Sequence, residues 1–409
     1  MNKKTAMPKA GAGATTDEAA IKHFLTRGVE NVYPNAEAVR AALKSGKHLK
    51  VYLGVDPTGP SLHIGHLIAM RKLAELQKMG HEIVLLIGDF TAMIGDPSDK
   101  GAARKRLTHD EVMANCKKYK EQASCLLFFT GANAAQLVFN SKWLAKMSFS
   151  DVVELAAHFT VQQMVERDMF EKRIAEKKPV YIHEFMYPLM QGYDSVAMDV
   201  DMELGGNDQT FNMLAGRTLM REMKQKEKFV VTTKLLTDPT GKKMGKTEGN
   251  IIALSDSPED MYGKVMSWTD GMIISGFELC TDVSDKEIAD MQSRMAKGEN
   301  PMAFKRWLAH EVVRGFVSEA AAKAAEAEFS KVHQAHETPD EMPKLKVKAG
   351  MTVMDALIAS ALCPSKSDAR RQIEQGGVKL DGKVVKDAGM SVKAGAVIQK
   401  GKRHFVKLV

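Results

Sequence analysis

The sequence predicts an α/β fold built on a parallel sheet, followed by a helical region and a small, basic α+β module. Three observations carry this. A strand, a helix and a second strand follow one another within about forty residues from Lys47, the order of a βαβ unit. The second of those strands, Ile83 to Ile87, is apolar at every position, as strands buried on both faces of a parallel sheet are. The net charge of +7 is confined to the end of the chain: Lys344 to Val409 holds 14 Lys and Arg against 5 Asp and Glu, and the residues before it hold 44 against 46.

Met1 to Thr16 is rich in Lys, Ala and Gly and lacks the apolar stretch of a secretory signal, so residues 1–20 are expected to form a disordered tail. Leu49, Val51, Leu53 and Val55 alternate with other residues, the period of a strand. Pro57 to Pro60 breaks it. Leu67, Met70, Leu73, Leu76 and Met79 then recur at helical spacing up to Gly80. Ile83 to Ile87 closes the βαβ unit, whose ligand edge lies where its strands end, at Asp56-Pro57 and Gly88-Asp89. Residues 108–178 read as mainly helical, an insertion or crossover before the second half of the sheet. Alternation from Val196 to Leu204 predicts a third strand running into Gly205-Gly206, and the β-branched run Phe229 to Leu236 a fourth. The loop 237–250, rich in Gly, Lys and Thr, leads into helices that reach His333. Gln334 to Pro343 is a polar linker. In the basic module, Ser365 to Ile373 reads as a capped helix exposing Lys366, Arg370 and Arg371. Gly376 to Val384 reads as two strands around an Asp381-Gly382 turn. The expected divisions are therefore 1–20, 21–236, 237–333, 334–343 and 344–409.

Composition excludes several classes. Hydrophobic residues at 44% and charged residues at 27% are those of a folded globular chain, not a disordered one. No apolar run approaches the roughly 18–20 residues of a membrane span. The four cysteines form no CxxC pair, so neither a zinc site nor a disulfide framework is expected, and a reducing cytoplasm fits. A near-neutral body with a basic terminal module points to a polyanionic partner, nucleic acid first.

Two segments carry chemistry. His63-Ile64-Gly65-His66 stands between a strand and its helix, where backbone N–H groups and the helix dipole favour an anion. Imidazole N–H groups can donate to phosphate oxygens, and Gly65 lets a bulky group approach the backbone. Lys242-Lys243-Met244-Gly245-Lys246-Thr247, on the loop after the fourth strand, offers lysines and a hydroxyl to a polyphosphate, with a glycine that lets the loop move.

Together these segments resemble the class I aminoacyl-tRNA synthetases. His63 to His66 copies their HIGH signature, and Lys243 to Thr247 resembles KMSKS with Gly and Thr in place of the two serines. Tyr52-x-Gly54-x-Asp56-Pro-Thr58, Thr91-Ala-Met-Ile-Gly95-Asp96-Pro97, Tyr187-x-x-x-Gln191-x-x-Asp194 and Gly205-Gly206-Asn207-Asp208-Gln209 resemble the bacterial tyrosyl-tRNA synthetases in particular. The basic segment resembles the small RNA-binding module first known from ribosomal protein S-four. The resemblance covers nearly everything after residue 20.

The resemblance implies a Rossmann-type catalytic domain, a helical tRNA-binding domain and the RNA-binding module. It implies a tyrosine–tRNA ligase that uses ATP, carried with Mg2+, and holds no metal of its own. Tyr52 and Asp194 would take the phenolic hydroxyl of L-tyrosine. Asp96, Tyr187 and Gln191 would take its ammonium group, with Thr91 and Gln209 also lining that pocket. Gly54, Asp56, Thr58, Gly65, Gly206 and Asp208 would lie along ATP. His63 and His66, with Lys243, Lys246 and Thr247, would meet the phosphates, Lys246 among the ATP contacts. Lys366, Arg370 and Arg371 would meet tRNA(Tyr), and a homodimer without membrane association is expected. Glu203 stands where some bacterial members carry Gln, and no role is assigned to it. Tryptophanyl-tRNA synthetase shares both signatures but not Tyr52 with Asp194. A small-molecule nucleotidyltransferase leaves the basic module unexplained. A non-catalytic scaffold would have lost signature residues, and none is lost.

Overall fold

Aliphatic strands that no polar residue interrupts need cover on both faces, and the chain provides it around one six-stranded sheet. The computed structural model describes residues 13–97, 107–238, 240–241, 251–334, 342–348, 350–401 and 404–409. The strands lie in the order β1 (Val29–Tyr33), β6 (Phe229–Thr233), β5 (Met202–Gly206), β2 (Lys50–Val55), β3 (Glu82–Ile87), β4 (Gln136–Phe139). β1 is antiparallel to β6, and all other neighbours are parallel. The helix Ile64–Lys78 buries Leu67, Met70, Leu73 and Leu76. From β2 the chain winds outward to β3 and β4, then returns to the other side of β2 for β5 and β6. The winding direction therefore reverses between β2 and β5, and the crevice at their C-terminal ends is where such sheets bind ligands.

The helices Ile182–Met198 and Thr210–Lys224 cross closely at two glycines. A Cβ on Gly192 would stand 3.1 Å from the Gly216 backbone nitrogen, so neither position has room for a side chain. Leu189, Val196, Leu219 and Met220 are buried together around that crossing.

The structure differs from the sequence reading in five places. Val196 to Met198 is the end of a helix, not the start of a strand: Leu189, Gly192 and Val196 continue its buried stripe, and Asp199 closes it in the left-handed conformation at φ 50°. The strand begins only at Met202. The helical stretch 108–178 contains β4, which at four residues is too short to show a period among its helices. The fourth strand stops at Thr233 rather than Leu236. Of the expected tail, residues 13–20 are folded: the Thr15 N–H donates to the Met79 carbonyl at 2.8 Å, and Asp17 caps the helix Glu18–Thr26. That helix buries Ile21, Phe24 and Leu25, and a following strand, β1, had not been read from the sequence at all.

The chain divides into two compact units, one running to Asp256 and resuming over Trp268–Val317, the other comprising Ser257–Ser267 and Ser318–Val409. In the second unit a five-stranded sheet has the order β7 (Lys344–Leu345), β11 (His404–Leu408), β10 (Val397–Lys400), β8 (Val378–Leu380), β9 (Lys383–Val384). It covers a core of Val353, Leu357, Ile373, Val378, Ile398 and Val406. Asp381 and Gly382 both take positive φ, 50° and 78°, the turn that suits a two-residue hairpin. Most of the expected linker, 335–341, lies outside the described residues.

His81, fully buried beside the start of β3, yields one pH prediction. The Leu49 N–H donates to its Nδ1 at 3.2 Å, which requires that nitrogen unprotonated. Burial, helped by His48 and opposed by Asp201, pulls its pKa down from 6.5 to about 4. The unfolded chain thus takes up this proton first. Stability should fall as pH drops from about 6.5 to about 4, with a share from His81 of at most about 1.4 kcal/mol per pH unit. Denaturant midpoints measured across that range should show a shallower fall for His81→Gln; identical slopes would remove His81 from the account.

Candidate active site

Asp56 follows β2 directly, at the switch of winding, and its carboxylate organises the crevice. Oδ1 accepts the Thr91 hydroxyl at 2.7 Å and Oδ2 accepts the Tyr187 hydroxyl at 2.8 Å. Gly88, at the end of β3, makes this possible. A Cβ there would stand 1.9 Å from Asp56 Oδ1 and 2.4 Å from Thr91 Oγ1.

The helix Ile182–Met198 carries Tyr187, Gln191 and Asp194 at spacings of four and three, one face of a helix. Asp194, at its buried end, accepts the Trp143 indole N–H at 2.7 Å and the Asn140 amide at 3.2 Å. Burial pushes the pKa of its carboxyl well above the ordinary value. The two donors oppose that shift, and the Glu203 and Asp56 carboxylates add to it. Asn140 also donates to Thr91 Oγ1 at 3.1 Å and accepts the Phe90 N–H at 3.0 Å. A continuous chain of hydrogen bonds therefore runs from Tyr187 through Asp56, Thr91, Asn140 and Asp194 to Trp143.

Tyr52, on β2, is fully buried, and its hydroxyl lies 2.9 Å from Ser195 Oγ. Tyr52 and Asp194 share the buried floor but have separate partners. The three residues expected around an ammonium group are likewise each engaged: Tyr187 on Asp56, Gln191 on Glu203 at 3.0 Å, and Asp96 on the Gln209 amide at 2.7 Å. The Arg167 guanidinium stands 3.6 Å from Asp96 and within 5.7 Å of the rings of Phe170 and Phe211.

The partly exposed rim holds the groups suited to phosphate. His63 precedes the helix Ile64–Lys78, and its N–H donates to His66 Nδ1 at 3.2 Å. The two imidazoles stack with centroids 3.7 Å apart. Gly65 has a more local duty than approach of a ligand, since a Cβ there would meet the His63 ring at 3.2 Å. Gly54 differs: its nearest neighbour would be Leu86 at 3.9 Å, so the space before it is open. The Thr58 N–H closes a turn on the Asp56 carbonyl at 2.8 Å. Gly206 ends β5 and makes room for Asp208, whose Oδ1 would stand 2.6 Å from a Cβ on Gly206. Lys242, Lys243, Lys246 and Thr247 lie outside the described residues. The chain that follows them returns to the rim: the Ile64 N–H donates to the Ile252 carbonyl and the Leu254 N–H to the Leu62 carbonyl, both at 2.9 Å.

Sequence reasoning missed Asn140, Trp143, Ser195, Arg167 and Lys228, whose buried ammonium donates to Ser195 Oγ at 2.8 Å. Asn140 directly follows a strand at the sheet's ligand edge, a signal available only once β4 is recognised. Ser195 adjoins Asp194 and could have been read as its companion. Lys228 and Arg167 carried no local signal, because charged residues are ordinarily solvated.

In the second unit, Ser365 caps the helix Lys366–Glu374 by accepting the Asp368 N–H at 3.2 Å. Ala369 and Ile373 are buried, which turns Lys366, Arg370 and Arg371 outward. Arg371 is held by Asp368 within the same helix. Lys366 and Arg370 are therefore the better placed of the three for a phosphate.

The chain matches two families. Residues 44–334 match the tRNA synthetases class I (W and Y), and residues 355–398 match the S4 domain. It is 44% identical over 393 residues to the tyrosine–tRNA ligase of Moorella thermoacetica, covering 94% of each chain. It is 43% identical over 397 residues to that of Thermotoga maritima, covering 96% of this chain and 98% of the relative. Among solved structures, it is similar to a C-terminally truncated mitochondrial tyrosyl-tRNA synthetase of Coccidioides posadasii, with a TM-score of 0.63 and 26% identity over 76% of this chain and 92% of that one. The Archaeoglobus fulgidus tyrosyl-tRNA synthetase complexed with L-tyrosine shares the fold, with a TM-score of 0.59 and 21% identity over 76% of this chain and 100% of that one.

Two glycines at the crevice should respond differently to the same change. Gly88→Ala forces the Asp56 carboxylate and the Thr91 hydroxyl apart and should cost about 1–3 kcal/mol of stability. Gly54→Ala enters open space and should stay within about 0.5 kcal/mol of the parent. Thermal unfolding of both variants decides it; equal effects would contradict this view of the crevice.

Proposed function

The chain belongs to the class I tRNA synthetases of the tryptophan and tyrosine group, and on that premise we propose that it activates L-tyrosine with ATP and charges tRNA(Tyr). The observation that carries the tyrosine assignment is the buried polar floor of Tyr52 and Asp194. A phenol hydroxyl reaching that floor meets a carboxylate and a second hydroxyl. A phenylalanine ring would bury them without a partner, which costs the free energy of unsatisfied polar groups. Asp96, Tyr187 and Gln191 are the acceptors for the ammonium group, with Thr91 and Gln209 holding Asp56 and Asp96 in place.

In the first step the tyrosine carboxylate oxygen attacks the α-phosphorus of ATP. The bond from that phosphorus to the bridging oxygen breaks, and pyrophosphate leaves with its Mg2+. Charge grows on the α-phosphate oxygens, and His63 and His66 donate to them from the helix N-terminus, where the dipole adds to the effect. Gly54 leaves room for the nucleotide, Gly206 makes room for the Asp208 side chain, and Asp56, Thr58 and Asp208 line the ribose. Lys243, Lys246 and Thr247 bind the departing pyrophosphate, the two lysines offsetting its charge. In the second step a ribose hydroxyl of the terminal adenosine of tRNA attacks the tyrosyl carbonyl and AMP leaves. No protein nucleophile takes part; the protein positions reactants and stabilises charge.

The basic module holds tRNA through Lys366 and Arg370. A second copy of the chain is the expected partner, and the exposed apolar side chains Phe149 (84%), Val161 (72%) and Ile182 (80%) are the candidates for that contact. No helix among the described residues is long and apolar enough to cross a membrane. The cytoplasm is the proposed compartment, where the four free cysteines stay reduced.

Three measurements test this reading. ATP–pyrophosphate exchange should depend on tyrosine and stay at background with phenylalanine and tryptophan; exchange driven by tryptophan alone would overturn the assignment. Lys366→Ala with Arg370→Ala should weaken tRNA binding and flatten its log–log salt dependence by up to about two units, with exchange unchanged; an unchanged slope would make the helix a solvated face. Light scattering should give a dimer for the parent and a monomer for Phe149→Asp with Ile182→Glu; a monomeric parent would refute the apolar interface.

A further inference from the structure

We propose that a buried ion pair, Lys228 with Glu203, is the positioning device of the amino-acid site, fixing the Tyr52 phenol through Ser195 and the Gln191 amide directly. This inference rests on the reading of that site as the tyrosine pocket. Lys228 is fully buried and Glu203 is 2% exposed. Glu203 lies on β5 directly beside Tyr52 on β2, and Lys228 immediately precedes β6, the neighbour of β5 on its other side.

An ammonium group only donates, and Lys228 has two acceptors, Glu203 Oε2 and Ser195 Oγ, the latter at 2.8 Å. The other Glu203 oxygen accepts the Gln191 amide at 3.0 Å. Ser195 Oγ in turn lies 2.9 Å from the Tyr52 hydroxyl. One ion pair therefore reaches two of the groups that face the substrate and touches neither substrate position itself. Donation from Lys228 to the serine oxygen strengthens the serine as a donor to Tyr52. Where the serine donates, the Tyr52 O–H can be offered to an incoming hydroxyl. Burial pulls the Lys228 ammonium below its ordinary pKa, and the Glu203 carboxylate opposes that shift.

The surrounding helix is shaped for this pair. Gly216 lies inside the helix Thr210–Lys224, where alanine would be the better helix former. A Cβ at that position would stand 2.5 Å from Lys228 Nζ and 2.8 Å from Ser195 Oγ. Buried ion pairs rarely repay their desolvation in stability, so a positioning duty gives this one a reason to be kept.

The test uses the full chain in ATP–pyrophosphate exchange. Lys228→Met with Glu203→Leu removes both charges together and avoids stranding either one. The double variant should raise the KM for tyrosine about tenfold or more and narrow the preference for tyrosine over phenylalanine, with the KM for ATP unchanged. A structural role alone would lower the thermal midpoint and leave those ratios alone. A folded double variant with the parent's tyrosine KM and preference would overturn the proposal. Ser195→Ala keeps the ion pair and deletes one oxygen, so it decides the matter if the double variant does not fold. It should narrow the same preference, and parental behaviour would overturn the proposal. A parent chain without tyrosine-dependent exchange would instead defeat the reading of the pocket, a separate outcome.

Discussion

A carboxylate buried under the edge of an apolar sheet must be held by donors, and Asp194 sets that requirement for the whole crevice. Trp143 and Asn140 meet it, and both come from just beyond β4, the far strand on that side of the sheet. Asn140 has to turn toward Asp194, and in doing so it reaches Thr91. Thr91 is thereby oriented to donate to Asp56, whose other oxygen holds Tyr187. The ends of β2, β3 and β4 and the helix Ile182–Met198 are thus linked by polar side chains as well as by packing. Gly88 is the backbone's concession to that linkage, because any side chain there would occupy the Asp56 carboxylate.

The framework that brings these groups together was legible in the sequence where burial leaves a strong period. Ile83 to Ile87 announced a strand covered on both faces, and Leu67 to Met79 its covering helix. Asp381-Gly382 announced a hairpin because both residues accept positive φ. The period failed where elements are short or where two periods overlap. β4 has four residues and hides among helices, and with it went Asn140 and Trp143. Val196 to Met202 alternates like a strand, yet its first half completes a helical stripe, and the packing of that stripe against the helix Thr210–Lys224 prevails.

The site was legible in a different way. His63-Ile64-Gly65-His66 stands out because two imidazoles at a helix start have few bland explanations. Its glycine proved to serve the His63 ring, a contact only coordinates reveal. Glu203 had no assignable role as an isolated letter. Its meaning comes from Lys228, twenty-five residues downstream and on the other side of β5. Pairings across a sheet leave no trace in linear spacing, so the polar layer beneath the pocket could not be read in advance. The charge asymmetry needed no structure: it separates a near-neutral catalytic body from a basic module through composition alone.

The whole crevice is arranged so that the buried floor of Tyr52 and Asp194 can receive a phenol hydroxyl. A crystal structure of the protein with L-tyrosine bound tests it most directly. The phenolic oxygen should lie within hydrogen-bond distance of both the Tyr52 hydroxyl and the Asp194 carboxylate, with Trp143 and Asn140 still on Asp194. A tyrosine bound with its hydroxyl turned away from that floor, or seated elsewhere, would contradict it.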